Sequence, residues 1–321
     1  MKTRKKIYLL FTAVFVLALI HISWTNILSQ EEDRYYYIDP GTPEGLREIF
    51  RYKNDLTPFL SAHRGGPESH LPENHTVTFD NTLRHTYSIM EIDPRYSKDS
   101  VIIVHHDNDL RRTTTGEGRV SDFTYEELRD LKLRDMKGNQ TPYKIQTLKE
   151  MFEWAKGKTI LVLDKKDVPI EERIKIVEEC KAEAYAIVMA YSFEEAKLGY
   201  RLNKNILMQV FIPTPEKVEE FDRTGVPWEN VVAFTGHQAP ENKSVFDLIH
   251  QKGALCIVGT SRNFDLELTR GNVSDIHELK GNYNNLIDMG ANILETDIPV
   301  EVCKVVFDNI SIHPSKVKYF R

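Results

Sequence analysis

The sequence predicts a (β/α)8 barrel in a single α/β domain, and three observations lead to this fold class. Short apolar runs typical of strands alternate with segments of helical periodicity along most of the chain. Such alternation indicates parallel strands, and about eight repeats close into a barrel. The third observation is size, because 321 residues with 41% hydrophobic side chains can bury one large core.

Nine apolar runs are candidate strands for the eight places of the barrel, so one must be wrong or lie outside it. They are residues 59–62, 89–92, 101–104, 159–163, 186–190, 206–212, 231–234, 254–258 and 292–294. The gap between Asp93 and Ile102 is too short for a helical crossover. An extended chain of that length spans roughly 26 Å. A parallel return without a helix is therefore possible, and it would bring His106 to the same rim as Glu91.

The helical segments frame these strands. Thr42 and Pro43 are typical of a helix start, with threonine as N-cap and proline at the first helical position. We expect this helix to pack on the base of the barrel. A longer excursion follows the third predicted strand and should lie over the rim, where loops shape substrate access. Its helices are expected near residues 125–133 and 148–155.

The N-terminus is interpreted separately from the barrel. Residues 1–29 combine a basic start with an apolar run, and they are predicted to be either a signal peptide or a membrane anchor. Residues 30–58 are interpreted as a linker and capping helix, and residues 59–321 as the barrel. On either alternative the barrel is expected to be exported to a periplasmic, extracellular or lumenal location. The membrane would be a partner only if this segment is not cleaved.

The charge of the chain bears on its partners. The net charge is −6, and four positive charges lie in the first six residues, so the remainder is more acidic still. Nucleic acid is bound by basic surfaces. We therefore expect no nucleic-acid partner.

Polar side chains follow five of the predicted strands, at the ends where barrel enzymes build their active sites. They lie at residues 63–66, 91–93, 105–107, 164–166 and 295–297. Glu91 and Asp93 are two apart on a strand and so face the same side, and Asp164 can join them. Three converging carboxylates repel one another unless a cation neutralises them, and oxygen ligands suit Mg²⁺ or Ca²⁺. The alternative is that these carboxylates pair with Arg64 or Lys166.

The histidines and basic residues complete a candidate site. His63 and His106 are candidates for general acid and base, because imidazole exchanges protons near neutral pH. His105 should point away from His106 and have a structural role. Arg64 offers a planar fork for phosphate oxygens, and Lys166 adds a point charge. Basic residues beside a metal imply an anionic substrate.

The order of these motifs resembles that of the glycerophosphodiester phosphodiesterase family over about residues 59–300. The matching motifs are His63-Arg64-Gly65, Pro72-Glu73-Asn74, Glu91-x-Asp93, His106-Asp107 with Leu110, Arg112-Thr113-Thr114, Gly116 and Gly118 behind it, Asp164-x-Lys166, and Thr296-Asp297-x-Pro299. The resemblance implies a TIM barrel that hydrolyses small-molecule glycerophosphodiesters to sn-glycerol 3-phosphate and an alcohol.

The resemblance also implies roles for individual residues. His63 and His106 become the acid/base pair, and Arg64 and Lys166 hold the phosphate. The ligands of one divalent cation become Glu91, Asp93 and Asp164. Glu73 lies near the site, as a ligand or as an orienter of His63 or Arg64, and Asn74 lies beside it.

Several positions depart from the family pattern. Asp164 replaces the usual glutamate and is one methylene shorter, and His75 stands where threonine is usual. Residues 258–260 replace the family's Trp-Thr, which puts the leaving-group preference in doubt. Arg262 and Asn263 just beyond are candidates for substrate contact or for a plain loop role. His237 is a further candidate.

Two other functions remain open. The first is a phospholipase of C or D type that acts on lipid phosphodiesters, although a metal-free phospholipase C mechanism would not need the acidic trio. The second is a non-catalytic binding barrel, which should have lost a histidine or a metal ligand. Neither loss occurs in this sequence.

Overall fold

Twelve strands, numbered in chain order, occur in the residues that the computed structural model describes, which are 34–54, 59–307 and 312–321. They are β1 (Leu60–Ala62), β2 (Ser88–Ile92), β3 (Pro94–Tyr96), β4 (Ile102–Val104), β5 (Lys132–Arg134), β6 (Gln140–Lys144), β7 (Leu161–Leu163), β8 (Ala186–Ala190), β9 (Leu207–Phe211), β10 (Val231–Phe234), β11 (Cys256–Gly259) and β12 (Ile293–Thr296). Eight of them close into a parallel barrel in the order β1-β12-β11-β10-β9-β8-β7-β2. The predicted fold class is therefore confirmed.

Eleven α-helices lie in the same described residues. They are α1 (Pro43–Phe50), α2 (Thr76–His85), α3 (Tyr125–Leu128), α4 (Leu148–Ala155), α5 (Ile170–Glu179), α6 (Phe193–Leu202), α7 (Pro215–Asp222), α8 (Ser244–Gln251), α9 (Phe264–Thr269), α10 (Lys280–Met289) and α11 (Pro299–Val306). The helix predicted at Pro43 begins there, because the Thr42 hydroxyl accepts a hydrogen bond from the Gly45 amide at 3.1 Å. The Leu46, Ile49 and Phe50 side chains pack against the base of the barrel.

The predicted third strand lies outside the barrel, so the parallel return after Asp93 is wrong. Strand β4 pairs antiparallel with β3 and forms a hairpin. The chain reverses because the Ser97 amide donates to the Val101 carbonyl at 3.0 Å and Ser100 adopts a φ of 63°. The third barrel strand is β7, which pairs with β2. The excursion therefore follows the second barrel strand.

The excursion contains two antiparallel hairpins, β3–β4 and β5–β6, and is less helical than the sequence predicts. Its first helix ends at Leu128 and the chain enters β5 at Lys132, within the range predicted to be helical. The excursion has its own small apolar core. This core consists of Ile103, Leu110, Val120, Leu128, Leu133 and Ile145. The excursion is thus held as a packed unit.

The C-terminus closes the base of the barrel. The Tyr37 amide donates to the Arg321 carbonyl at 2.8 Å, and the Arg321 amide donates back at 2.9 Å. Ile38 and Phe320 are buried in the base cluster. The predicted signal peptide or anchor, residues 1–29, lies outside the described residues. Among the residues that are described, none of the helices has the length and apolar character needed to cross a membrane.

Candidate active site

A cavity of about 580 Å³ opens at the C-terminal ends of the barrel strands. Six of the residues selected from the sequence line it, namely His63, Arg64, Glu91, His106, Asp164 and Lys166. Asp93 is fully buried behind them. His106 lies at the cavity because strand β4 of the β3–β4 hairpin ends at Val104, two residues before it.

The acidic trio of Glu91, Asp93 and Asp164 is brought together as the sequence predicts. The three side chains each offer an oxygen, and these oxygens lie within 4.8 Å of one another. Burial, followed by the charge of Asp93, raises the pKa of Glu91 well above its usual value. A cluster of this kind carries electrostatic repulsion that a divalent cation would relieve.

Two basic residues offset part of this negative charge. Lys166 Nζ lies 2.9 Å from Asp93 Oδ1 and 2.5 Å from Asp164 Oδ2. Arg64 Nε lies 3.9 Å from Asp93 Oδ2, and the Arg64 backbone amide donates to Glu91 Oε2 at 2.9 Å. The three carboxylates therefore pair with Lys166 and Arg64, and the same carboxylates are the candidate metal ligands. Three buried carboxylates with oxygen donors fit Mg²⁺ or Ca²⁺ in donor chemistry.

Both candidate acid/base histidines are held by an aspartate at Nδ1. His63 Nδ1 lies 2.5 Å from Asp297 Oδ1, and His106 Nδ1 lies 2.6 Å from Asp107 Oδ1. His63 Nε2 is 4.0 Å from Glu91 Oε2. Because Nδ1 is occupied in each ring, Nε2 is left to exchange protons within the cavity.

The surroundings act differently on the two imidazoles. Burial alone would lower the pKa of His63, but the hydrogen bond with Asp297 and the charge of Glu91 raise it to about 10. Burial lowers the pKa of His106, and the charge of Asp93 acts in the opposite direction. The arrangement therefore places two proton-exchanging groups of unequal basicity beside the acidic trio.

Glu73 and Asn74 lie next to the site and orient other residues. Glu73 Oε2 accepts from Arg64 at 3.1 Å, and both Glu73 oxygens accept from Arg112 at 2.8 Å. Burial would raise the pKa of Glu73, but the Arg112 hydrogen bonds lower it to about 2. Asn74 donates to Asp93 Oδ2 at 2.6 Å and accepts from the Asp93 amide at 3.1 Å. Glu73 thus contacts Arg64 and not His63.

His105 has the structural role that its position predicts. It is buried, its Nδ1 lies 2.9 Å from the Asp107 carbonyl, and its Nε2 lies 2.8 Å from Thr113 Oγ1. Asn263 caps the start of α9 and donates to the His237 carbonyl. Arg262 and His237 line the cavity.

Sequence reasoning missed several residues that line the cavity. They are Met189, Ala190, Tyr191, Gln209, Phe211, Phe234 and Ser261. The Tyr191 hydroxyl donates a hydrogen bond to Asp164 Oδ1. This bond holds in place the aspartate that stands where the family has the longer glutamate. Gln209 could have been noticed as a polar residue inside the apolar strand β9. The aromatic residues could not, because in sequence they look like ordinary core residues.

The departure at residues 258–260 has a structural counterpart. A Cβ at Gly259 would lie 2.3 Å from His237 Nδ1. The imidazole of His237 therefore occupies the space that a side chain at position 259 would need. A larger side chain at position 259 would therefore require His237 to move or to be replaced.

Comparison with known proteins agrees with these motifs. A sequence model of the glycerophosphoryl diester phosphodiesterase family matches residues 63–263. A glycerophosphodiester phosphodiesterase of Caldanaerobacter subterraneus subsp. tengcongensis is 33% identical over 150 residues, which cover 46% of this chain and 60% of the relative. The match thus spans less than two thirds of that relative's length.

Solved structures show the same similarity. A glycerophosphoryl diester phosphodiesterase from Parabacteroides distasonis superposes with a TM-score of 0.84 at 37% identity, covering 90% of this chain and 99% of that one. An Oleispira antarctica phosphodiesterase, solved in complex with the product sn-glycerol-3-phosphate, shares the fold with a TM-score of 0.59. Its sequence is 17% identical, and the match covers 79% of this chain and 98% of that one. On the family match and the cavity together, the chain belongs to the glycerophosphoryl diester phosphodiesterase family.

Proposed function

We propose that this protein hydrolyses glycerophosphodiesters to sn-glycerol 3-phosphate and an alcohol. The observation that carries the proposal is that two aspartate-bound histidines, three clustered carboxylates and two basic side chains surround one cavity. Acids and bases for proton transfer and positive charge for an anion are what phosphodiester hydrolysis requires. The similarity to the Parabacteroides distasonis enzyme supports the same activity.

In the proposed reaction, Glu91, Asp93 and Asp164 hold one divalent cation, Mg²⁺ or Ca²⁺. When bound, this cation supplies Lewis-acid polarisation of the phosphate oxygens. Arg64 and Lys166 bind the same oxygens and stabilise the charge that develops on them. Glu73 and Asn74 keep Arg64 and Asp93 in place, as their hydrogen bonds indicate.

His63 and His106 carry the protons in this proposal. One imidazole takes a proton from the attacking oxygen, which belongs either to water or to the glycerol 2-hydroxyl in a route through a cyclic phosphate. The other gives a proton to the oxygen of the departing alcohol. Asp297 and Asp107 hold the two rings so that Nε2 remains available for transfer.

We further propose that the protein is exported and that residues 1–29 act as its signal peptide or membrane anchor. The basic start and the apolar run of this segment support the proposal. Detection of the full-length protein in the cytoplasmic fraction alone would contradict it.

The test of the activity is hydrolysis of glycerophosphocholine by the purified protein, with and without EDTA. We expect EDTA to abolish turnover and added Mg²⁺ or Ca²⁺ to restore it. His106→Ala and Glu91→Ala should each lower kcat/KM by roughly 10²- to 10⁴-fold. His85→Ala, at the exposed end of α2, is the matched control. Substantial turnover by either cavity variant would refute the assignment.

A further inference from the structure

The bottom of the cavity carries two polar side chains that the proposed reaction does not use. Gln209 of β9 and Glu295 of β12 both line the cavity, yet they are only 5% and 4% exposed. Gln209 Oε1 and Glu295 Oε2 are buried and have no hydrogen-bond partner among the described residues. Buried polar atoms are costly unless they are paired. We call these two side chains the polar floor.

The two side chains line the same cavity from separate strands. Strands β10 and β11 lie between β9 and β12 in the barrel order. Burial raises the pKa of the Glu295 carboxyl, and the charge of His63 acts in the opposite direction. One neutral amide and one carboxyl thus lie almost fully buried in the wall of one cavity. The polar floor is therefore a joint feature of two separate strands.

The unpaired atoms define the ligand chemistry. The amide oxygen of Gln209 and the ionised carboxylate oxygen of Glu295 are both acceptors, so the group that satisfies them must donate hydrogen bonds. A phosphate oxygen offers no donor, and the nearby carboxyl would repel its charge. Neighbouring hydroxyl groups of a polyol supply two donors without charge. A site that pairs buried polar atoms with substrate hydroxyls discriminates strongly against analogues that lack them.

We propose that Gln209 and Glu295 accept hydrogen bonds from hydroxyl groups of the substrate and so select phosphodiesters that carry a polyol. The inference rests on the proposed function, because it assigns a specificity to the same cavity. The hydroxyls belong either to the glycerol or to the departing alcohol, and both sources share this chemistry.

The test compares Glu295→Gln and Gln209→Met, which alter the two acceptors with little change in volume. The control is Glu229→Gln, because Glu229 is 52% exposed and pairs with Arg51 outside the cavity. We would measure kcat/KM of the full-length protein for glycerophosphocholine, glycerophosphoinositol, glycerophosphoethanolamine and bis(p-nitrophenyl) phosphate, which has no hydroxyl. Thermal unfolding of each variant checks its folding, and either variant alone suffices for the test.

We expect both variants to lose roughly 10- to 100-fold in kcat/KM on the glycerol-containing substrates, mainly through KM, and far less on the aryl diester. An equal loss on all three glycerol substrates assigns the polar floor to glycerol. A loss confined to glycerophosphoinositol assigns it to the alcohol. The inference would be overturned by an equal loss on the aryl diester or by no loss at all. A loss confined to glycerophosphoethanolamine would also overturn it, because it would indicate an ammonium site.

Failure of the proposed function gives a different result. The wild-type protein would then hydrolyse none of the glycerol substrates. Calorimetric binding of sn-glycerol 3-phosphate and of inorganic phosphate would then decide the inference. Weaker binding of glycerol phosphate to both variants, with phosphate binding unchanged, supports the polar floor. Unchanged binding of glycerol phosphate excludes the glycerol as the source of the hydroxyls, and unchanged binding of glycerophosphoinositol as well refutes the inference.

Discussion

Single residues determine how the two cavity histidines are oriented. His63 and His106 come from different parts of the chain, yet each engages an aspartate through Nδ1, Asp297 for the first and Asp107 for the second. An aspartate in this position selects the tautomer whose Nε2 exchanges protons. Asp107 is held in turn by Arg112, whose Nε lies 2.6 Å from Asp107 Oδ2.

Replacing the orienting aspartate should affect turnover more than binding. In Asp297→Asn we expect kcat to fall by roughly 10²- to 10⁴-fold with a small change in KM, because the amide favours the wrong tautomer of His63. Steady-state kinetics with glycerophosphocholine measures both constants. The matched control is Asp275→Asn, since Asp275 binds His277 Nδ1 at 2.8 Å on the exposed surface. A variant with wild-type kcat would show that Asp297 does not orient His63.

At the scale of elements, the start of α2 depends on the protonation state of one side chain. His75 is the N-cap of this helix, and its Nδ1 accepts a hydrogen bond from the Val77 amide at 3.0 Å. Only an unprotonated Nδ1 can accept. Burial lowers the pKa of His75 to about 4. The folded protein therefore keeps this imidazole neutral.

Because His75 stays neutral in the folded protein, the free energy of unfolding should fall in mild acid. As the pH falls from 6.5 to about 4, the unfolded chain binds a proton at His75 and the folded protein does not. The free energy of unfolding should decrease by up to about 3 kcal/mol across this window, with no further contribution from His75 below it.

His75→Thr tests the prediction, because threonine caps a helix without titrating in this range. Urea unfolding at several pH values should show a flatter dependence for His75→Thr than for the wild type. His85→Gln, at the exposed other end of α2, should keep the wild-type slope. Identical slopes for His75→Thr and the wild type would contradict the prediction.

At the scale of the whole molecule, the barrel separates the residues for stability from those for chemistry. The base cluster includes Phe50, Phe59, Ile89 and Phe320, whereas the cavity opens at the other ends of the strands. Phe320 lies 6.1 Å from the Phe59 ring and 5.1 Å from the Tyr87 ring, between centroids. The C-terminal residues thus complete the base.

Phe320→Ala should therefore lower stability without altering catalysis. Loss of a buried phenyl ring typically costs about 3–5 kcal/mol, so a clear decrease in Tm is expected by calorimetry. Values of kcat and KM measured well below that Tm should match the wild type. Val317→Ala, at a position that is 50% exposed, serves as the control. A catalytic defect in folded Phe320→Ala would show that the base and the cavity are coupled.

Local patterns in the sequence predicted much of the fold. Strands β8 and β10 and helix α4 begin and end at the residues that the sequence predicts. The predicted third strand failed because a run of apolar residues does not reveal its partner. The reversal at Ser97 and Ser100 turned it back on β3, and this depends on hydrogen bonds that the run itself does not contain.

By itself, the sequence determined the barrel and the residue types at its strand ends, because periodicity and residue chemistry are local properties. These include His63, Glu91 and Asp164, which meet at one cavity. Only the tertiary structure decided which residues pair: Asp297 with His63 and Tyr191 with Asp164. These partners lie 27 and 234 positions apart in the sequence. Each pair lies at the ends of two neighbouring barrel strands, β1 with β12 and β7 with β8, and no local pattern encodes that proximity.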